Sequence, residues 1–247
     1  MKRALPFAAI ALLLAVVAGA VFIPGARTAD ASSTPEMRFA RPTFEAAQGS
    51  QWLDLTRYGA IGERDKFERL SSNATACHDV LDAAGVRFTQ VKEPMNDKGC
   101  GVRDALRVEA SLTGWDAPEP MAMTCALAAR LHTWERHIVI PAAEKYLGSE
   151  VVEIEAFGAY SCRRVGGVGH LSEHAFGRAA DISGFKLADG RVITVLGDFR
   201  SKGPEGAFLR EVHDRACGLF DVTLGPDYNA EHANHFHLDV GGWSACR

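Results

Sequence analysis

Two short segments that lie far apart in the chain carry a set of metal-binding side chains, and this pair most constrains the fold. The first segment reads Ser-x-His-x-x-Gly-x-Ala-x-Asp and contains His174 and Asp181. The second reads His-x-x-His-x-His and ends at His237. Two imidazoles and one carboxylate suit a catalytic zinc ion, which takes three protein ligands and leaves its fourth position for water. A fold that uses this set must bring the two segments together.

The predicted strands place these side chains on one face. Alternate residues of a strand point to opposite faces, so His235 and His237 point into a cleft and the apolar residues beside them point into the core. Asp181 lies at the start of a strand, and a loop allows His174 to fold back beside it. Each motif alone is weak, because His-x-His pairs often lie on a surface. Together with His232, however, the two segments hold four of the nine histidines, which favours a metal site.

The amino terminus predicts export. Lys2 and Arg3 precede an apolar run that extends to Ile23, and this order is typical of a secretory signal. The run is also long enough to span a bilayer, so residues 1–30 are predicted to be a signal peptide or a membrane anchor. In either case the domain is exported, to the periplasm or to the outer face of the inner membrane.

The net charge bears on possible partners, and the composition divides the rest of the chain into a linker and one domain. A formal net charge of −4 gives no electrostatic case for nucleic acid, which favours a clustered basic surface, so we expect no nucleic-acid partner. Residues 31–71 mix proline, serine, threonine and charges without a period, and we interpret them as a linker that is partly disordered. Residues 72–247 are then long enough for one domain. The sequence carries no signal for the oligomeric state.

The cysteine count predicts disulfides, because an even number of cysteines in an exported chain is typical of cross-linked domains. Six cysteines allow fifteen pairings, and the sequence alone does not choose among them. We expect each cysteine to pair with its neighbour along the chain. The expected pairs are Cys77 with Cys100, Cys125 with Cys162, and Cys217 with Cys246.

Hydrophobic periodicity predicts an α+β fold with a mainly antiparallel sheet and flanking helices. Strands joined by hairpins, with helices grouped outside them, are typical of this class. The predicted helices cover 77–84, 118–147 with a kink or a break at Pro141, and 206–220. The predicted strands cover 86–91, 105–112, 151–159, 179–185, 192–196, 221–224 and 235–240.

Most of residues 75–247 resembles the bacterial extensin-like C-terminal domain family. The histidine-bearing segments also resemble those of the zinc peptidases that cleave peptidoglycan, namely D-Ala-D-Ala carboxypeptidases, lysostaphin-type enzymes and a murein endopeptidase. The stretches that carry the family resemblance are 99–101, 124–128, 160–163, 172–185, 232–239 and the terminal Cys246-Arg247. The resemblance implies a fold of the D-Ala-D-Ala metallopeptidase type for residues 72–247.

The same resemblance implies a metal centre. His174, Asp181 and His237 occupy the positions of the zinc ligands, so the implied cofactor is Zn²⁺. His235 would lie beside the metal as general base or transition-state stabiliser. His232 matches a further active-site histidine of the murein endopeptidases.

Further positions around this centre concern substrate binding, proton transfer and the orientation of a ligand. Arg163 matches a substrate-binding arginine of the carboxypeptidases, and a structural ion pair is an equal alternative. Asn234 stands where the carboxypeptidases have an acidic residue, so the base is expected to be a histidine or, as a second choice, Glu231. Asp239 shares the face of His237 and is expected either to orient that ligand or to bind backbone.

These features predict an exported zinc metallopeptidase, an endopeptidase or carboxypeptidase that uses a metal-activated water on peptidoglycan stem peptides or cross-links. The alternative is a catalytically weak or inactive metal-containing module that binds peptidoglycan or has a structural role in the cell envelope. Asn234 favours that alternative, and only kinetics separates the two.

Overall fold

The computed structural model describes residues 53–59, 63–92, 98–117 and 121–247, and all of them belong to one compact unit. The predicted signal peptide or anchor in residues 1–30 lies outside the described residues. Among the described helices, none is both long and apolar enough to cross a membrane.

Ten strands of the described chain form a single sheet. Along the sheet the order is β1-β2-β3-β5-β6-β9-β8-β10, with β4 paired to β2 and β7 paired to β6. All neighbours are antiparallel except β3 with β5 and β8 with β10. The strands are β1 Arg87–Gln90, β2 Ala105–Ala110, β3 Gly114–Asp116, β4 Met121–Thr124, β5 Val151–Gly158, β6 Ala179–Leu187, β7 Val192–Thr194, β8 Val222–Leu224, β9 Phe236–Asp239 and β10 Ala245–Cys246.

Helices flank this sheet and bury its apolar face. Trp134 is fully buried, and its ring lies 5.9 Å from that of Phe185 on β6, which in turn contacts Phe208 edge to face. The α+β class with a mainly antiparallel sheet is therefore confirmed. The helices are α1 Glu63–Ser72, α2 Ala74–Ala83, α3 Cys125–Trp134, a π-helical turn Glu135–Val139, α4 Ile140–Leu147, α5 Val195–Asp198 and α6 Pro204–Ala216.

The helix predicted for 118–147 is partly wrong. Its first described residues form strand β4, where Met123 pairs with Leu106 of β2. The helix begins only at Cys125, because the hydroxyl of Thr124 accepts the Leu127 N–H as an N-cap. A π-helical turn over Glu135–Val139 then precedes the segment that contains Pro141, so the helical path continues with this local irregularity.

The ends of several other elements also differ from the sequence-based expectation, and one helix was not predicted. The strand predicted for 192–196 ends at Thr194, whose hydroxyl caps the short helix α5. Helix α1 lies within the stretch interpreted as a linker, and its residues Phe67 and Leu70 are buried in the core beside Leu55.

Three disulfides use all six cysteines. The expected bond between Cys217 and Cys246 is present, whereas the other two expected pairs are wrong. Cys77 is bonded to Cys125, because helix α2 packs on helix α3 and brings their Cα atoms to 6.1 Å. Cys100 is bonded instead to Cys162. These bonds are compatible with an exported protein, in which disulfides persist.

Candidate metal centre

The register between two central strands determines which side chains of the site lie next to each other. Asp181 on β6 lies directly opposite His237 on β9, and residues that oppose each other in an antiparallel pair share a face. On the other face of β9, Phe236 and Leu238 are fully buried. The sheet therefore presents one carboxylate and one imidazole side by side, as the sequence predicted.

A short 3₁₀ turn before β6 supplies the third side chain. The turn spans Glu173–Phe176 and begins after Ser172, whose hydroxyl accepts the His174 N–H. It ends at Gly177, which has a φ of 62°. A Cβ at that position would come within 2.7 Å of Val102. Glycine is therefore required there, and the sharp turn that it allows carries His174 back over the strand.

Three ligand atoms converge within contact distance of one another. Nε2 of His174 lies 3.1 Å from Oδ1 of Asp181 and 3.1 Å from Nδ1 of His237. The remaining side of this triangle, between Nδ1 of His237 and Oδ1 of Asp181, is 2.9 Å. Ligands of a tetrahedral zinc ion lie roughly 3.3 Å apart, given bonds of about 2.0–2.1 Å. The donor set and its spacing therefore fit one small cation.

In His174 and His237, the ring nitrogen that points away from the cluster donates a hydrogen bond. Because a neutral imidazole carries only one N–H, the nitrogen that points into the cluster is then unprotonated. Nδ1–H of His174 donates to the carbonyl of Ala159 at 2.6 Å. Nε2–H of His237 donates to Asp239 at 3.1 Å. Such outer hydrogen bonds fix the tautomer of metal-binding histidines. Two nitrogen lone pairs and a carboxylate oxygen then face one another, an arrangement that repels unless a proton or a metal cation lies between them.

The pKa values follow from this crowding. Burial by itself would raise the pKa of Asp181, but its close polar contacts with the imidazoles of His174 and His237 outweigh burial and hold that pKa far below its usual range. Burial would lower the pKa of His237, but its hydrogen bonds to Asp181 and Asp239 raise the value to about 9. In the absence of a metal ion the cluster therefore retains a proton near neutral pH.

Two further histidines stand at the edge of the cluster. Nδ1–H of His235 donates to Asn234 at 2.9 Å, which leaves Nε2 free to face Asp181 Oδ1 at 3.5 Å. Nδ1–H of His232 donates to Asn229 at 2.7 Å, and its ring centroid lies 5.1 Å from that of His235. Each ring therefore presents an unprotonated Nε2.

Burial keeps both of these rings neutral. It lowers the pKa of His232 to about 4, with a further contribution from the neighbouring imidazoles. Burial likewise lowers the pKa of His235, although the charge of Asp181 opposes the shift. Both imidazoles are therefore available at neutral pH as proton acceptors.

Arg163 completes the charged groups at the centre. Its Nη2 lies 3.2 Å from Oδ2 of Asp181, the oxygen that does not face the histidines, and half of its side chain is exposed. The guanidinium thus makes the ion pair that the sequence offered as one alternative. Its other donors remain accessible from the cleft.

The cluster opens into a cleft with a cavity of about 370 Å³. Glu231 also lines this cleft, at an exposed turn. The cleft includes three residues that the sequence analysis did not single out, namely Tyr228, Asn229 and Trp243. The Gly241-Gly242 pair before Trp243 was the one available signal, because consecutive glycines often mark a tight turn.

Of the other five histidines, His170 also lines the cleft, and the remaining four lie elsewhere. His132 contacts Ser111, His137 contacts the carbonyl of Leu55, and His213 contacts Asp214. His78 contacts Gln90. Each has a hydrogen-bond partner outside the cleft.

The fold and the site define an α+β domain with a mainly antiparallel sheet and a His/His/Asp group able to hold a metal ion. A family model described as the extensin-like protein C-terminus matches residues 75–247. The chain therefore belongs to the extensin-like C-terminal family. Neither curated proteins nor solved structures give a significant match to the chain.

Proposed function

We propose that this protein is an exported zinc metallopeptidase that cleaves peptidoglycan stem peptides or cross-links, in the periplasm or at the outer face of the inner membrane. The observation that carries the proposal is the group of three inward ligand atoms within 3.1 Å of one another. In a cluster with only a structural role, each of these nitrogen and oxygen lone pairs would instead accept a hydrogen bond from a donor.

His174, Asp181 and His237 would hold the metal. Imidazole and carboxylate ligands suit zinc, and three such ligands match catalytic zinc sites. When bound there, zinc would supply Lewis acidity, activating a water molecule and polarising a substrate carbonyl. The domain would then be of the D-Ala-D-Ala metallopeptidase type, as the histidine-bearing segments suggest.

The remaining groups would act on protons and on substrate. His235 is neutral and presents Nε2 to the cluster, so it would accept the proton of the attacking water and return it to the leaving amine. His232 lies next to it, and its unprotonated Nε2 would accept a hydrogen bond from an N–H or O–H group of the substrate. Arg163 would bind a carboxylate of the substrate through its exposed donors.

A second candidate function has one specific observation in its favour. Asn234 stands where the carboxypeptidases that the histidine-bearing segments resemble have an acid, and its carbonyl oxygen is occupied by the hydrogen bond from His235. A neutral residue there would weaken proton transfer. The domain would then be a catalytically weak or inactive metal-containing module that binds peptidoglycan or supports the cell envelope.

Digestion of isolated bacterial sacculi separates the two functions. The disulfide-bonded, zinc-loaded domain would be incubated with sacculi, and released fragments would be identified by mass spectrometry. We expect peptide fragments that disappear with a chelator and with Asp181→Asn, but persist with Asp227→Asn, an exposed aspartate paired with Arg200. Sacculi that stay intact while zinc is bound would reject the peptidase and favour the binding module.

A further inference from the structure

Trp243 stands on the rim of the cleft with 79% of its surface exposed. This exposure does not come from a loose chain. On the amino-terminal side, Gly241 N–H donates to Asp239 at 3.0 Å and Gly242 N–H donates to Asp221 at 3.1 Å. The loop is therefore bonded to the sheet immediately before the tryptophan.

The carboxyl-terminal side of the loop is equally fixed. Ala245 pairs with Val222 of β8 in the short parallel strand β10. Cys246 is bonded to Cys217 at the end of helix α6. Exposing a large apolar side chain to water is unfavourable relative to burying it. Because this loop is cross-linked and keeps Trp243 exposed, a ligand that covers the ring would recover that free energy.

Trp243 lines the same cleft as the candidate metal ligand His237. Leu224 and Val222 of β8 lie opposite His237 and Asp239 of β9, and they line the floor of the cleft. Strand β10 follows on the far side of β8. Since neighbouring strands are about 4.8 Å apart, β10 lies roughly 10 Å from β9. Trp243 lies two residues before β10 and lines the same cleft as His237, so it would contact a part of a ligand beyond the bond at the metal.

The composition of this end of the cleft indicates the chemistry of that part. Tyr228 and Trp243 provide aromatic faces, while Asn229 and Glu231 provide an amide and a carboxylate. Aromatic faces pack against the C–H face of a sugar ring, and amides and carboxylates hydrogen-bond its hydroxyl groups. The acidic Glu231 also disfavours the headgroups of an anionic lipid surface.

We propose that Trp243 is a binding residue for an N-acetylated amino sugar of the peptidoglycan glycan strand, with the acetyl methyl group over Leu224 and Val222. This inference rests on the proposed function for the identity of the polymer. The cleft would then contain a sugar subsite beside the peptide site. The protein would recognise a stem peptide together with the sugar that carries it.

The test is a binding titration with two separate probes, the β-1,4-linked tetramer of N-acetylglucosamine and a free stem pentapeptide. We expect Trp243→Ala to weaken binding of the sugar by roughly tenfold or more, and Trp243→Phe to retain it within about threefold. Binding of the pentapeptide should not change. Leu196→Ala is the matched control, because Leu196 is 70% exposed and lies outside the cleft.

Two outcomes would overturn the sugar subsite. One is sugar affinity that is the same in the wild type and in Trp243→Ala. The other is an equal loss of affinity for sugar and pentapeptide, which would make Trp243 a wall of the peptide site. Sugar binding that depends on Trp243 in a protein without peptidase activity would support the subsite while rejecting the proposed peptidase.

Discussion

Asp239 accepts a hydrogen bond from Nε2 of His237 at 3.1 Å, and this contact determines which nitrogen of the imidazole faces Asp181. The second oxygen of Asp239 accepts the N–H of Gly241, so the carboxylate has a fixed orientation. Asp239 is buried. One side chain therefore joins the candidate metal ligand to the start of the loop that carries Trp243.

Replacing Asp239 by asparagine should lower the affinity for zinc by about 10–100-fold, because partners of this kind orient a metal ligand and raise its basicity. The measurement is a competition titration with a chromophoric chelator. Asp227→Asn makes the same charge change at an exposed site and should leave the affinity unchanged. Equal affinities in both variants would remove Asp239 from the metal centre.

Zinc binding should release about one proton from this cluster at pH 7, because the metal-free His237 has a pKa of about 9. Below that pKa the ion must displace a proton, so the apparent affinity should rise roughly tenfold per pH unit between pH 7 and pH 9. Calorimetry in two buffers with different ionisation enthalpies measures the proton count. A count near zero with a pH-independent affinity would contradict the assignment of His237 as a ligand.

Glu135 should make the fold less stable as the pH rises. Burial raises its pKa to about 8 from an ordinary value of 4.5, although hydrogen bonds from Thr113 and Leu112 oppose the shift. The folded state therefore holds a proton that the unfolded state has lost between these two pH values. Across that window the free energy of unfolding should fall as pH increases, by at most about 5 kcal/mol.

The measurement is chemical denaturation at several pH values. Glu135→Gln should flatten the slope between pH 4.5 and pH 8, whatever its effect on absolute stability. Glu144→Gln, which changes an exposed helical glutamate, should keep the wild-type slope. If the wild type and Glu135→Gln show the same slope, the buried carboxyl is not the cause.

The bond between Cys100 and Cys162 should support both the fold and the site, because the neighbouring Ser161 donates its N–H to the carbonyl of His174. Replacing both cysteines by alanine should lower the free energy of unfolding by roughly 2–5 kcal/mol and weaken zinc binding. Peptide mapping of the unreduced protein should recover this pair and Cys77 with Cys125. Recovery of Cys77 joined to Cys100 would refute the connectivity.

The candidate site was largely predictable because it depends on local rules. The two-residue period of a strand placed His235 and His237 on one face, and Gly177 indicated the turn that returns His174 to Asp181. The ligand spacing follows from the β6–β9 register, which the hydrophobic pattern of each strand helps to set.

The parts that were not predictable depend on contacts between distant elements. The bond from Cys77 to Cys125 exists because helices α2 and α3 pack together, and cysteine spacing does not encode that packing. Similarly, the strand Met121–Thr124 has an apolar pattern that also suits a helix, and its pairing with β2 decides the outcome. Trp243 lines the cleft from a loop that is held by the pairing of β10 with β8 and by hydrogen bonds to Asp239 and Asp221.

The most direct test of the metal centre is anomalous X-ray diffraction at the zinc edge from crystals of the zinc-loaded protein. We expect one strong peak within bonding distance of Nε2 of His174, Oδ1 of Asp181 and Nδ1 of His237. No peak at this position, in crystals where zinc is bound elsewhere or not at all, would show that the cluster holds only a proton and would contradict the proposed metallopeptidase.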